Sequence, residues 1–416
     1  MTGTKQRGRR EERPGEPLAE RRGKEVLRHD GVAEVSELVR ELLGRPAGEW
    51  HRDTLVARLT AAGAFGLTAD GDPGSEVRAD AVVRVTLLVA RLSPSIAQVV
   101  QTHYSALAAL ARYVRLDGSR PAELPRGRYV QLQSEPTGVT GSTVSSTIRR
   151  TPDGLRLDGV KDYATGIPWA QWLNTGAILD GRKVQVLLPR SAAGLSVRPT
   201  WSVFGQQDTE SNRVELVDVP VDPDLVFVPD GVPQSPITKL AHAAIDIGIG
   251  EAALDAFRSF LLHDGRIRHG AASAGVDGIL DDPYIRRQFG HGVVELAALR
   301  ARLLELAAAI GGTRPVEPVE PVEPVEPVGE DGQDAERDAD LEAQIRAFAA
   351  YTGEAAVKLT SELFSNAGGR AAHLERRLDA FWRDARVHTL LNPRDWSLSE
   401  LGRRFLSERS SDDRDT

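Results

Sequence analysis

The hydrophobic pattern of this chain changes period twice, and nothing else in the sequence restricts its fold as strongly. From Val32 to about Tyr113 apolar residues recur at three and four: Val35, Leu38, Val39 and Leu42-Leu43, then Leu55, Val56 and Leu59. That spacing lays them along one face of a helix. Asp80–Leu92 and Ser95–Ala111 read as two further apolar helices. From Tyr129 the pattern shifts to short alternating or β-branched runs: 129–133, 143–148, 155–157, 173–179, 184–188, 195–197 and 214–217. Asp153-Gly154, Asp158-Gly159 and Asp180-Gly181 punctuate them as turn signals. Helical spacing returns after Pro236, with long elements through Leu240–Phe257, Pro283–Ile310 and Leu341–Leu363, then shorter ones near Leu374–His388 and Ser399–Leu406. Helices and strands that come in blocks do not interleave as βαβ units. The expected class is α+β, mainly α. It comprises an N-terminal helical domain (31–128), a middle antiparallel β domain (129–228) and a C-terminal four-helix bundle (229–408).

Composition bounds the function. The formal charge of −8 argues against a broad nucleic-acid footprint. The chain has no cysteine, which excludes disulfides, thiolate nucleophiles and thiolate-held metals. No apolar run approaches the roughly 18 residues of a membrane span, and no hydrophobic N-terminal segment resembles a secretory signal. A cytoplasmic enzyme is expected. Residues 1–30 are Arg-, Glu-, Gly- and Pro-rich and read as a disordered tail, with a second short tail at 409–416. Pro315–Val328 repeats Pro-Val-Glu and predicts extended polyproline II within a solvent-facing loop at 312–335.

The densest group of chemically capable side chains is Phe381–Pro393, FWRDARVHTLLNP. Asn392-Pro393 stops the helix, which leaves His388 one turn from its end beside Arg386 and Asp384. His103 follows Val99 and Val100 by four and three residues and so points inward with them. Gly248-Ile249-Gly250 is not a dinucleotide fingerprint, because no strand leads into it; small residues there predict close helix packing. His291 and Glu295 lie at i,i+4, but two ligands make no metal site, and none is expected.

FWRDARVHTLLNP resembles the C-terminal signature of flavin-dependent monooxygenases built on the acyl-CoA dehydrogenase fold, the group of dibenzothiophene monooxygenase and the sulfur-acquisition oxidoreductases. PSIAQVVQTHYSAL (94–107), QSEPTGVTGS (133–142), DGVKDYATG (158–166), WSVFGQQDTESNRVELVDVPV (201–221) and SNAGGRAA (365–372) resemble further stretches of that family in the same order. The resemblance implies a flavin held between the β domain and the bundle. It places Gln131, Ser134, Tyr163, Thr165, Gly368 and Gly369 against the cofactor, with Thr165 near the flavin N5. His103, His388 and Thr165 become the expected catalytic donors, and Trp201, Leu391 and Asn392 the expected substrate pocket.

Two chemistries run on such a scaffold. A dehydrogenase needs a carboxylate to take an α-proton, and the position the family gives that base holds Asn392, an amide. Glu251 is a second candidate base. A monooxygenase uses reduced flavin and O2 through a C4a-hydroperoxide, which needs dry walls and neutral donors. The resemblance therefore favours a two-component monooxygenase. It implies FMN, or FAD, supplied in reduced form by a separate flavin reductase, together with O2, a small-molecule substrate and a homotetramer. The family often carries a second His where Leu391 stands. Acyl-CoA dehydrogenation and a catalytically inactive flavin-binding relative are the alternatives.

Overall fold

A computed structural model describes residues 31–44, 51–116, 124–136, 144–228, 235–267, 270–311, 330–391 and 394–412. The N-terminal tail, the Pro-Val-Glu repeat and Asn392 lie outside the described residues.

Four helices come first: α1 (Gly31–Leu43), α2 (Arg52–Ala61), α3 (Ala79–Leu92) and α4 (Pro94–Leu116). Pro94 opens α4, where a missing N–H costs nothing. The strands follow: β1 (Tyr129–Leu132), β2 (Thr147–Thr151), β3 (Gly154–Ala164), β4 (Trp172–Leu179), β5 (Arg182–Pro189), β6 (Leu195–Arg198), β7 (Asn212–Val221) and β8 (Val226–Phe227). Then come α5 (Ile237–Asp264), α6 (Pro283–Gly311), α7 (Glu330–Ala367), α8 (Asp379–His388) and α9 (Arg394–Asp412). Helix α7 starts at Glu330, so the loop expected up to 335 ends sooner; α9 stays helical to Asp412, into the expected C-terminal tail.

The sheet runs β6-β7-β3-β2-β4-β5-β8. It is not wholly antiparallel, as the strand spacing had suggested. One edge of β4 is shared by two parallel partners, β1 along Trp172–Thr175 and β2 along Ile178–Leu179. Alternation reports which face a residue takes, not which neighbour its backbone finds, so this pairing leaves no mark in the pattern. Asp180-Gly181 makes the two-residue turn between β4 and β5, with both φ values positive, 50° and 76°. Asp158-Gly159 is no turn. It lies inside β3 at a register shift opposite β7.

Helix α5 ties the helical blocks together. Its residues from Leu240 to Gly250 are all buried, and it feeds two cores. Ile237, Ala241, Ile245 and Ile249 join the cluster of α1–α4, while Leu240, Ala244 and Ile247 join that of α6 and α7. A helix apolar on every side belongs in an interior. At Gly248 an added Cβ would lie 2.8 Å from the Leu87 carbonyl oxygen of α3, and at Gly250 2.8 Å from Leu296 of α6. The Gly-Ile-Gly run is therefore a helix-packing device. No helix among the described residues is long and apolar enough to cross a membrane.

Candidate active site

One stretch of α4, Gln98–His103, touches most of the elements that carry candidate residues. Gln98 meets His388 of α8, Val99 packs where a side chain at Gly166 would begin, Thr102 meets β1 at Gln131, and His103 meets β1 at Tyr129. At about 1.5 Å rise per residue, these contacts fall within roughly 8 Å of helix. The end of β3, the start of β1 and the end of α8 are thus brought to one place.

His388 is buried, at 1% exposure. Its Nδ1 lies 2.6 Å from Asp246 Oδ1 on α5, and its Nε2 lies 3.2 Å from Gln98 Oε1. Asp246 is equally buried, and the His242 ring stands edge-on to His388 at 5.1 Å. Nδ1–H donates to the carboxylate. With the Gln98 amide oxygen facing it, Nε2 also donates and the ring is an imidazolium. Turned end for end, the Gln98 amide becomes the donor and the ring is neutral. The arrangement can hold a proton at Nε2 or release it.

His103 is fully buried, and both its nitrogens are engaged by backbone. Tyr129 N–H donates to Nδ1 at 3.1 Å, so Nε2 carries the proton and donates to the Phe65 carbonyl at 3.2 Å. The rings of Phe65, Tyr104 and Tyr129 surround it. Burial pushes its pKa down to about 3, so it stays neutral. No ring nitrogen is left to face a ligand, which does not fit the expectation of a direct catalytic donor.

Thr165 ends a chain of hydroxyls. Its Oγ1 lies 2.8 Å from Ser211 Oγ; Ser211 donates to Thr209 Oγ1 at 2.8 Å; Thr209 donates to the Gln206 carbonyl at 2.9 Å. Trp201 Nε1 donates to the same carbonyl at 2.9 Å. The exposed Tyr163 ring stands edge-on to Trp201 at 6.2 Å, carried by a left-handed backbone, φ 61°, that is unusual for an aromatic residue. Ser134 is exposed and bridges β3 at Asp162, one residue from Tyr163. The Gln131 side chain accepts from Asn174 Nδ2 at 2.8 Å.

Helix α8 clasps the loop that carries Trp201 and Gln206. Gln206 N–H donates to Asp384 Oδ1 at 2.5 Å, Arg383 donates to the Phe204 carbonyl, and the Phe204 and Trp382 rings stack at 6.3 Å. Gly205 passes so close to the Arg383 carbonyl that a Cβ would collide with it. Burial raises the Asp384 pKa to about 6 against the Gln206 hydrogen bond that favours its carboxylate.

A second carboxylate is driven the other way. Burial works against ionised Glu135, yet Lys161 at 2.6 Å and the donors of Ser145 and Ser146 outweigh it and hold its pKa down to about 2. Lys161 is itself buried and also donates to the Gly176 carbonyl at 2.6 Å. This pair fixes the chain one residue beyond Ser134.

Other expected site residues are not gathered here. Gly368 and Gly369 are exposed, and a Cβ added at either would meet nothing within 4 Å. The adjoining Arg370 reaches the Asp264 carbonyl at the far end of α5, about 27 Å along the helix from Asp246. Leu391 is half exposed. Glu251 pairs with Arg91 and Arg300, at 3.6 and 3.2 Å, away from the α4 contacts. Asp246, Gln98 and His242 escaped the sequence reading. Their one signal is polarity inside otherwise apolar helical runs. Among the described residues no cluster could hold a metal ion.

Residues 240–393 match the family model for the acyl-CoA dehydrogenase C-terminal domain. A Pseudomonas putida protein named "Probable FMNH2-dependent monooxygenase SfnC" is 26% identical over 417 residues, covering 96% of this chain and 91% of that protein. The dibenzothiophene monooxygenase of Mycolicibacterium goodii is 26% identical over 274 residues, 62% of each chain. The crystal structure of FMN-bound TdsC from Paenibacillus sp. A11-2 superposes with a TM-score of 0.76 at 22% identity, covering 91% of this chain and 98% of that one. Methanesulfinate monooxygenase MsuC from Pseudomonas fluorescens gives 0.72 at 20% identity, covering 91% and 96%. The chain has the acyl-CoA dehydrogenase-like fold of these proteins.

Proposed function

We propose that this chain is a two-component flavin-dependent monooxygenase, which takes reduced flavin from a separate reductase and O2 to oxygenate a small molecule. The similarity to FMNH2-dependent monooxygenases supports this reading over most of the chain's length. The observation that carries it is the buried Asp246–His388–Gln98 array, joined through α4 to the ends of β1 and β3. The buried side chain fixed there between two polar partners is an imidazole. Asp246 is committed to His388, and Glu251 to two arginines, so neither described carboxylate is free to take a proton from carbon.

The residues present suit a planar heteroaromatic ring. The amide oxygen Asn174 Oδ1 is buried without a partner beside Gln131, and Thr165 keeps an oxygen lone pair to offer. Gln131, Ser134 and Thr165 would hold such a ring by its polar edge, and Tyr163 and Trp201 would wall it. Bound in reduced form, the flavin supplies the activation of O2. The protein excludes water with Trp201 and Tyr163, and holds or yields a proton at His388 Nε2, fixed by Asp246 and accompanied by rotation of Gln98. His103 acts indirectly, by fixing β1 at Tyr129. FMN is favoured over FAD by the similarity to an FMNH2-dependent monooxygenase over most of the chain. A homotetramer is supported by exposed apolar side chains on the bundle, Val293 and Val294 of α6 and Trp396, Phe405 and Leu406 of α9.

The test is anaerobic loading with reduced FMN followed by rapid mixing with O2. A transient near-ultraviolet absorbance before the oxidised flavin spectrum returns is expected, and His388→Gln should shorten its life. Direct return of the oxidised spectrum in the wild type would remove the oxygenase reading. Bleaching of bound flavin by a saturated acyl-CoA would put the dehydrogenase in its place.

A further inference from the structure

Gly353 is buried in the interior of α7, where a glycine disfavours the helix about fivefold relative to alanine. The residues one turn away, Ala349, Ala350 and Ala356, are buried too, and each carries a methyl. At Gly353 even a methyl is shut out. A Cβ added there would lie 2.8 Å from Thr389 Cγ2 and 3.4 Å from Asp246 Oδ2.

Both neighbours belong to the support of His388. Asp246 accepts from its Nδ1–H at 2.6 Å, and Thr389 is the next residue in the chain. Thr389 cannot turn its methyl aside. Its side chain is β-branched and stiff, its Oγ1 donates to the Arg386 carbonyl at 2.8 Å, and Arg386 Nη1 donates to the same Oγ1 at 3.3 Å. Helix α8 is also tied through Arg383 and Asp384 to Phe204 and Gln206, so a push on Thr389 falls on its last turn. Carbon atoms rest about 3.5–4.0 Å apart, so a methyl at position 353 would drive Thr389 away by about 1 Å. His388 goes with it, and its 3.2 Å contact to Gln98 does not survive such a shift.

We propose that Gly353 is a positioning residue for His388: its missing side chain leaves the space into which the Asp246 carboxylate and the end of α8 close. The effect on oxygenation rests on the flavin reading above. The effect on the hydrogen bonds of His388 does not. Misplacing a working group by about 1 Å costs up to about 10²-fold in rate.

The test compares Gly353→Ala, Thr389→Ser and the double variant in the full-length chain. Thr389→Ser removes the methyl that the new Cβ meets and keeps the hydroxyl. The first readout, taken without flavin, is the pair of ring nitrogen resonances of His388 in protein carrying isotope-labelled histidine, assigned by their loss in His388→Gln. They should shift in Gly353→Ala and return towards their wild-type positions in the double variant. The second is product formed per O2 consumed with reduced FMN, a ratio that does not depend on the folded fraction. It should fall about tenfold in Gly353→Ala and recover to within about threefold of wild type in the double variant. General loosening of α7 would not be undone by trimming a second side chain. Unshifted resonances in Gly353→Ala overturn the proposal, as does an unchanged product ratio, or a loss of folding or of product that Thr389→Ser does not restore. Shifted and rescued resonances in a chain whose wild type oxygenates nothing uphold the positioning and remove the oxygenase reading.

Discussion

His103 and His388 are both sealed from solvent, yet the groups that hold them differ in kind. His103 is gripped by two main-chain groups, the Tyr129 N–H and the Phe65 carbonyl. Neither can rotate or change charge, so the ring has a single state, and burial keeps it neutral. His388 is gripped by two side chains, Asp246 and Gln98. One is an anion and the other can turn its amide over, so two protonation states can be satisfied in place. Backbone partners make an imidazole into a strut; side-chain partners leave it able to work. Sequence alone shows two histidines on two helices and does not separate these cases.

The largest effect that separates them should come from Asp246→Asn. The near-isosteric amide keeps the packing but replaces the carboxylate that accepts from His388 Nδ1–H. Product formed per O2 consumed should fall on the order of 10²-fold, with the unfolding midpoint little changed. Activity within about twofold of wild type would make His388 a strut as well. The next effect belongs to His103→Ala, which orphans the Tyr129 N–H and the Phe65 carbonyl and opens a cavity among three aromatic rings. A loss of about 3–5 kcal/mol is expected by denaturant titration, with flavin chemistry largely kept in the molecules that remain folded. The same variant sharpens the comparison through pH. The folded pKa of His103 is depressed, so its contribution is present above about 6.5 and is lost as pH falls towards about 3, where the unfolded chain takes up a proton the native ring refuses. His103→Ala should be less stable at neutral pH but lose less on acidification.

The change of period located the sheet and the helical blocks, because burial on one face writes itself into spacing. What spacing could not convey was partnership. The parallel pairing of β1 and β2 along β4 is backbone chemistry with no side-chain signature. Asp158-Gly159 carries a turn signal yet sits in an eleven-residue strand, since the pairing of β3 with β2 and β7 outweighs local preference. The inward aim of His103 was legible from Val99 and Val100, but its backbone partners lie 26 and 38 residues away. Asp246 sits 142 residues from His388 in a helix that otherwise reads as core, so only its polarity in that setting could have flagged it. Gly368 and Gly369 were placed by motif resemblance, and the single chain leaves them beside the far end of α5.

The buried Glu135–Lys161 pair bears on handling the protein at the bench. Glu135 grips Ser145 and Ser146 on the far side of residues 137–143, and it immediately follows Ser134. Its depressed pKa means this fastening is complete above about 4.5 and comes undone as acid approaches about 2. Brief acidification should then strip a flavin held at Ser134, and neutralisation should let the apoprotein take it up again. Glu135→Gln, which has no charge to lose, should leak its flavin already at neutral pH, as a desalting column would show.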